Sequence, residues 1–284
     1  MFSDTHFHFQ HICEDGINGA EVLSALASRN TFFALDIGTR AGDLASRCSC
    51  VENMISQMTD TKLAERARNF MYYTAGIWPD VDAIHDRENQ MNLLRQSLTG
   101  KVIAVGECGI DHHWNPAGVD GRNESDFDEK TYRGEHELFE AQLELAKELS
   151  LPVIVHSRDG FNDTYDCLKN VGYDNGIIHC YSYGIEEARA FLDRGWYIAF
   201  GGAVTYNKKA KLEAVKELLR FVPADRFLCE TDAPYLAPVP LRGTINTPVN
   251  VELVYKFIAE VRGCSPEELS NLVDENIKRL FLHH

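Results

Sequence analysis

The residues able to do chemistry appear first at Ser3-Asp4-Thr5-His6-Phe7-His8, almost at the start of the chain. Two histidines two residues apart in an extended segment project to the same side, because side chains alternate faces. A strand over residues 1–7 therefore carries His6 and His8 side by side at its C-terminal end. Neutral imidazoles ligate zinc and similar divalent ions. Asp4, two residues back on the same face, is placed to hold one ring in its tautomer. Further ligand types recur down the chain, in Val105-Gly106-Glu107, Val155-His156, Ile178-His179 and Glu230-Thr231-Asp232. Imidazoles mixed with carboxylates suit zinc, manganese or magnesium, and these are more donors than one ion needs. Glu107 is the natural bridge between two ions. Asp232 can ligate one and accept a proton from the attacking water. Two adjacent ions would clamp a phosphoryl group and activate water at neutral pH.

These residues need a scaffold that brings distant segments to one place. Short apolar, β-branched runs cover residues 1–7, 31–37, 71–77, 101–106, 151–156, 175–179, 196–200 and 226–230, with amphipathic stretches between them. Strands alternating with helices predict an α/β fold, a closed parallel (β/α)8 barrel. Such a barrel builds its active site from the C-terminal strand ends and the loops that follow. His6 and His8, Glu107, His156, His179 and Asp232 are the ends of strands one, four, five, six and eight. His112 and His113 follow strand four as loop residues at the edge of the site.

Two helices are marked clearly. Leu138, Ala141, Leu145 and Leu149 keep helical spacing ahead of the fifth strand, and Leu151-Pro152 ends that helix. Ser265-Pro266-Glu267-Glu268 is a capping box with proline at the first helical position. Leu269, Leu272, Val273, Ile277 and Leu280 then form a buried stripe. One domain over residues 1–284 is expected, with two insertions. The one around 42–68 reads as helical, and the acidic one around 115–133 reads as a long loop above the barrel mouth.

The 284 residues are 44% hydrophobic and 25% charged, the balance of an ordinary globular protein. No run approaches the ~20 apolar residues of a membrane span, and no secretory signal is visible. The eight cysteines lack paired spacing apart from Cys48-Ser49-Cys50, which suits reduced thiols in the cytoplasm. The formal net charge of −15 disfavours a grip on long stretches of nucleic acid. It leaves room for a small or single-stranded phosphate substrate in a metal-lined cleft.

Ordered motifs running nearly end to end resemble the TatD-like metal-dependent deoxyribonucleases of the amidohydrolase superfamily. They are Asp4-Thr5-His6-Phe7-His8, Gly106-Glu107-Cys108-Gly109-Ile110-Asp111, Gln142-Leu143-Glu144-Leu145-Ala146 and Leu151-Pro152-Val153-Ile154-Val155-His156-Ser157-Arg158-Asp159. His179-Cys180-Tyr181-Ser182 follows, then Glu230-Thr231-Asp232-Ala233-Pro234-Tyr235-Leu236-Ala237-Pro238, Arg242-Gly243 and Asn246-Thr247-Pro248. The resemblance implies a phosphodiesterase using two, or three, divalent ions to remove nucleotides from DNA ends, often from the 3′ side of single strands. It implies His6, His8, Glu107, His156, His179 and Asp232 as metal ligands, with Glu107 and Asp232 catalytic. Arg158, Tyr181, Ser182, Arg242 and Asn246 would surround the substrate, with no obligate protein partner.

The chain also departs from that family. A Gly-Ile-His-Pro strand end is Gly76-Ile77-Trp78-Pro79 here, which puts an indole at the mouth on which a base can stack. His136 replaces a common glutamine, and Thr244-Ile245 stands where basic residues are usual. Arg158, Arg242 and Lys208 or Lys209 are then the cations near the mouth. These changes keep open a second reading, a metal-dependent hydrolase of another bond such as a lactone or misacylated transfer RNA. Glu107, where some relatives of that superfamily carry a carboxylated lysine, favours the nuclease branch.

Overall fold

In the computed structural model, which describes residues 2–98, 100, 102–113, 126, 128–206 and 209–282, eight strands run parallel in one sheet, in chain order. They are β1 (Asp4–Phe7), β2 (Ala34–Asp36), β3 (Met71–Ala75), β4 (Val102–Asp111), β5 (Val153–Arg158), β6 (Gly176–Ile178), β7 (Tyr197–Phe200) and β8 (Phe227–Cys229). A parallel bridge between Phe7 and Ala233 joins the two ends of the sheet. The barrel predicted from the alternating pattern is therefore present and nearly closed. β4 runs five residues past the expected end at 106, and β8 stops at Cys229, so Glu230, Thr231 and Asp232 lie on the loop above it.

Helices make the crossovers: α1 (Phe9–Glu14), α2 (Gly19–Ser28), α3 (Leu44–Ser56), α4 (Thr61–Phe70), α5 (Val81–His85) and α6 (Arg87–Ser97). After β4 come α7 (Glu129–Leu149), α8 (Phe161–Val171), α9 (Ile185–Asp193), α10 (Lys209–Phe221), α11 (Val251–Arg262) and α12 (Pro266–Phe281). Asn18, Asp60 and Asp128 accept bonds from first-turn amides of α2, α4 and α7. The Ser265–Glu268 capping box opens α12 as predicted. The segment 42–68 is helical, but α3 and α4 are the ordinary crossover between β2 and β3. In the second expected insertion, residues 115–125 and 127 lie outside the described residues, and 129–133 already belong to α7. The predicted α7 stripe holds at Leu138 and Leu145 and fails at Leu149, which is 40% exposed. Leu149 is the last helical residue, and the chain turns away through Ser150 at φ 56°. Phe139, Leu143 and Ala146 complete the buried face instead.

The seam between β1 and β8 is closed by a side chain. Asp4 Oδ1 accepts from the amides of His6 at 3.1 Å and Thr231 at 3.0 Å, and Oδ2 accepts from the Thr231 hydroxyl at 2.6 Å. Asp4 therefore binds two backbone amides and the Thr231 hydroxyl rather than an imidazole ring, contrary to the expectation from its spacing. Backbone bonds from Asp232 N to His6 O (2.8 Å) and from His8 N to Ala233 O (2.7 Å) finish the seam and bring Asp232 to the histidines. Removing Asp4 leaves three buried donors unpaired, each costing ~1–3 kcal/mol. Asp4→Ala should lose ~3 kcal/mol or more in denaturant unfolding and bind metal poorly. A variant with wild-type stability and full metal content would refute this role.

Candidate metal centre

Glu107 sits where the strand ends converge, and its two oxygens face different partners. Oε2 lies 3.2 Å from His6 Nε2 and 3.8 Å from His8 Nε2. Oε1 lies 2.9 Å from His156 Nδ1 and 3.0 Å from His179 Nε2. Asp232 Oδ1 joins the first group, 3.6 Å from His6 Nε2 and 3.5 Å from His8 Nε2. Donors sharing one ion through bonds of ~2.0–2.2 Å stand ~3–3.5 Å apart in a tetrahedral shell. The spacing here is of that kind. Both ring nitrogens of His6 and Nδ1 of His179 are buried without a hydrogen-bond partner, which is costly unless something else binds them. The six residues expected as ligands thus come together, and their donor set fits divalent metal.

The surrounding backbone orients these rings. Ile37 O lies 3.3 Å from His8 Nδ1 and leaves Nε2 facing Glu107, while Gly38 O accepts the Glu107 amide at 2.6 Å. The Asp36–Gly38 segment is itself gripped by buried Arg47, which donates to Asp36 Oδ2 at 2.6 Å, Asp43 Oδ1 at 2.9 Å and Thr74 O at 2.5 Å. β3 and β4 approach so closely that a Cβ on Gly76 would lie 2.4 Å from Gly106 Cα. Only glycine fits there.

Two carboxylates behind the rings had no role in the sequence reading. Asp111 Oδ2 lies 2.9 Å from His156 Nε2, and Glu230 Oε1 lies 3.6 Å from His179 Nδ1 while accepting the Cys180 amide at 2.6 Å. Even spacing from Glu107 along the same strand was the available signal for Asp111.

Charge in the centre is strongly coupled. Burial alone would raise Glu107, but His179, His6 and His156 around it hold its carboxyl well below the usual range. Burial would likewise raise Asp232, and the bond from His8 with its other histidine neighbours brings it down. Burial lowers His6, helped by His179 stacked on it at 3.9 Å. Burial would also lower His156, yet Asp111 and Glu107 push it up to about 9, and Glu107 keeps His179 well above its ordinary value.

Of the residues expected around substrate, Arg158, Ser182 and Arg242 are exposed or partly so. Arg158 Nη1 is 3.9 Å from Asp111, and the Arg242 guanidinium lies over the Tyr206 ring at 4.5 Å. Trp78 is half-buried against His156, ring centroids 5.7 Å apart. Tyr181 and Asn246 are buried, and their polar groups serve their own loops. The Tyr181 hydroxyl donates to Gly184 O at 2.6 Å, and the Asn246 amide donates to Thr231 O and Tyr235 O. His112 and His113 flank the mouth, paired with Glu135 and Asp159. Lys208 lies outside the described residues, and Lys209 begins α10.

A carboxylate set between imidazole pairs at the mouth of a parallel barrel is the construction of metal-dependent hydrolases. Within that class the chain belongs to the TatD family: the model for TatD related DNase matches residues 3–282. It is 39% identical over 217 residues to the uncharacterized metal-dependent hydrolase YabD of Bacillus subtilis, covering 75% of this chain and 78% of that protein. Over 283 residues it is 31% identical to the uncharacterized metal-dependent hydrolase YcfH of Escherichia coli K12, covering 98% and 94%. A protein of Erwinia billingiae named 3′-5′ ssDNA/RNA exonuclease TatD is 32% identical over 235 residues, covering 81% and 84%. The crystal structure of the TatD homologue YjjV of Escherichia coli K12 has the same fold, with TM-score 0.78 at 24% identity over 100% of this chain and 98% of that one.

Two measurements test the centre. Glu107→Gln should shed metal and lose ~10²-fold or more in turnover, the scale of acid–base contributions; full metal content with a near-normal rate would refute it. Metal needs neutral imidazole, while His156 keeps its proton up to about pH 9 in the metal-free site. Because His179 is also held above its ordinary value, affinity should climb with pH through and beyond neutrality, with protons released on binding at pH 7. Calorimetry in buffers of different ionisation enthalpy counts them, and proton-free uptake would contradict the charge pattern.

Proposed function

We propose that the chain is a 3′-5′ exonuclease that removes nucleotides from single-stranded DNA ends by metal-assisted hydrolysis. The observation that carries this reading is the division of Glu107, one oxygen toward His6, His8 and Asp232 and the other toward His156 and His179. The first set with Oε2 would hold one ion and the second with Oε1 another, and zinc, magnesium and manganese all accept such donors. When bound, a pair of this kind polarises a phosphodiester and acidifies water. Asp232, anionic beside His8, accepts the proton of the attacking water. Arg158 and Arg242 meet the phosphate oxygens. Trp78 forms the wall beside His156 on which the terminal base stacks. The exonuclease names of relatives that are 32% and 31% identical support the same reading. Eight free cysteines fit a reducing cytosol.

The second reading, hydrolysis of another ester or an amide, draws on the net charge of −15 and on Thr244-Ile245, which weaken any basic track for DNA. Digestion of a 5′-labelled single strand with each metal separates the two. A ladder shortening from the 3′ end supports the exonuclease, and intact oligonucleotide beside rapid ester hydrolysis overturns it. Each phosphate neutralised by a cation adds ~0.7 to the salt slope of single-strand affinity. With Arg158 and Arg242 as the contributors, a slope of ~1–2 is expected, with little gain beyond a few nucleotides. A slope of ~5 with affinity still rising at long lengths would reveal an extended basic surface.

A further inference from the structure

We infer that Tyr235 and His11 form a second nucleobase subsite, on the His8 side of the metal centre, for the penultimate nucleotide. The inference rests on the exonuclease reading: a scissile phosphodiester has a nucleoside on each side, and Trp78 serves only one of them.

Tyr235 is an exposed ring on a fixed backbone. It stands three residues after Asp232, with its amide bonded to Asp232 O at 2.9 Å and its carbonyl to the Asn246 amide at 2.8 Å. Its ring lies edge-to-face against His8 at 5.9 Å, and its hydroxyl is 3.4 Å from His11 Nδ1. His11 in turn stacks on His8 at 5.3 Å. In spite of these ties, 51% of Tyr235 faces solvent. A rigid aromatic beside a metal ligand, with its position set from both sides, is preorganised to stack a base at little entropic cost. A base also has a polar edge. Next to His8 and His11 opens a cleft of about 200 Å³, where Gln10, Thr39 and Arg40 offer donors and acceptors. Trp78 stands beside His156 and Tyr235 beside His8, so the two aromatics flank the two different ligand groups of Glu107.

The test compares kcat/KM for oligonucleotides that are complete or lack the base at the penultimate 3′ position. Wild type should cleave the complete strand ~10-fold or more faster, the scale of one stacked base. Tyr235→Ala should bring the complete strand down to the base-free rate, Tyr235→Phe should keep the difference, and Tyr235→Leu, with bulk but no π-face, should lose it. Metal content measured on each variant shows that the centre is intact. Wild type that shortens oligonucleotides but ignores loss of that base overturns the subsite and leaves the exonuclease standing. So does a difference that survives in Tyr235→Leu. Wild type that shortens no oligonucleotide overturns both.

Discussion

A carboxylate taken out of water must be neutralised where it sits, and Glu107 is 4% exposed at the centre of the molecule. Four imidazoles surround it, yet protons alone leave the arrangement incomplete. His156 and His179 can carry them, because Asp111, Glu107 and Glu230 stand nearby. His6 cannot do so readily, because burial and stacked His179 oppose its charge, and its two nitrogens have no hydrogen-bond partner. Divalent cations would neutralise Glu107 and Asp232 and take up the imidazole nitrogens that face them. The metal-free centre is thus a set of donors that cannot all be content, which favours a cation over a collapsed hydrogen-bonded core.

The rest of the fold exists at this point to hold the donors apart. His8 follows β1 and Glu107 lies in β4, three strands apart, and both are oriented by the carbonyls of Ile37 and Gly38. That pair of peptides is steadied by Arg47, so a helix with no residue in the metal centre sets the geometry of two ligands. On the other side, Gln142 of α7 brackets Ile77 with both arms of its amide, at 2.7 Å and 3.0 Å, and so places Trp78. The ends of β1 and β4 are thus fixed by the segment after β2, and those of β2 and β3 by helix side chains, Arg47 and Gln142.

What could be read in advance follows from which signals are local. Strand positions were legible because buried parallel strands are short β-branched runs, and the convergence of the six candidate ligands was legible because they recur at the ends of those runs. Asp4 was misread: alternation gives the face of a side chain but not whether it meets a ring or a backbone amide across a seam. Segment 42–68 looked additional because nothing in the sequence announces that Arg47 reaches Asp36 and Thr74. Asn246 and Tyr181 looked available for substrate, yet loop packing consumes their polar groups, a long-range fact that no spacing encodes. Tyr235 lay within the motif at 230–238 that resembles the TatD-like family, but no role was assigned to it. Its exposed ring beside His8 is a tertiary fact that sequence spacing does not encode.

The acidic surface and the aromatic mouth belong to one solution. With a net charge of −15, the field around the protein opposes a trailing polyanion, and at physiological salt that field still reaches ~8 Å from each exposed charge. Among the described residues near the mouth, Arg242 lies over the Tyr206 ring, Arg158 stands beside Asp111 and Arg40 lines the cleft next to His8. Binding built on phosphate contacts would be weak here and would vanish with salt. The proposed stacking on Trp78 and Tyr235 would carry no such charge dependence, because every base offers a π-face. It would also be short in reach, confined to the nucleosides beside the candidate metal centre. Under the proposed exonuclease reading, a barrel of net charge −15 that holds strand termini by stacking and leaves charge neutralisation to its ions would favour ends over interiors, because an end brings less polyanion against the acidic protein.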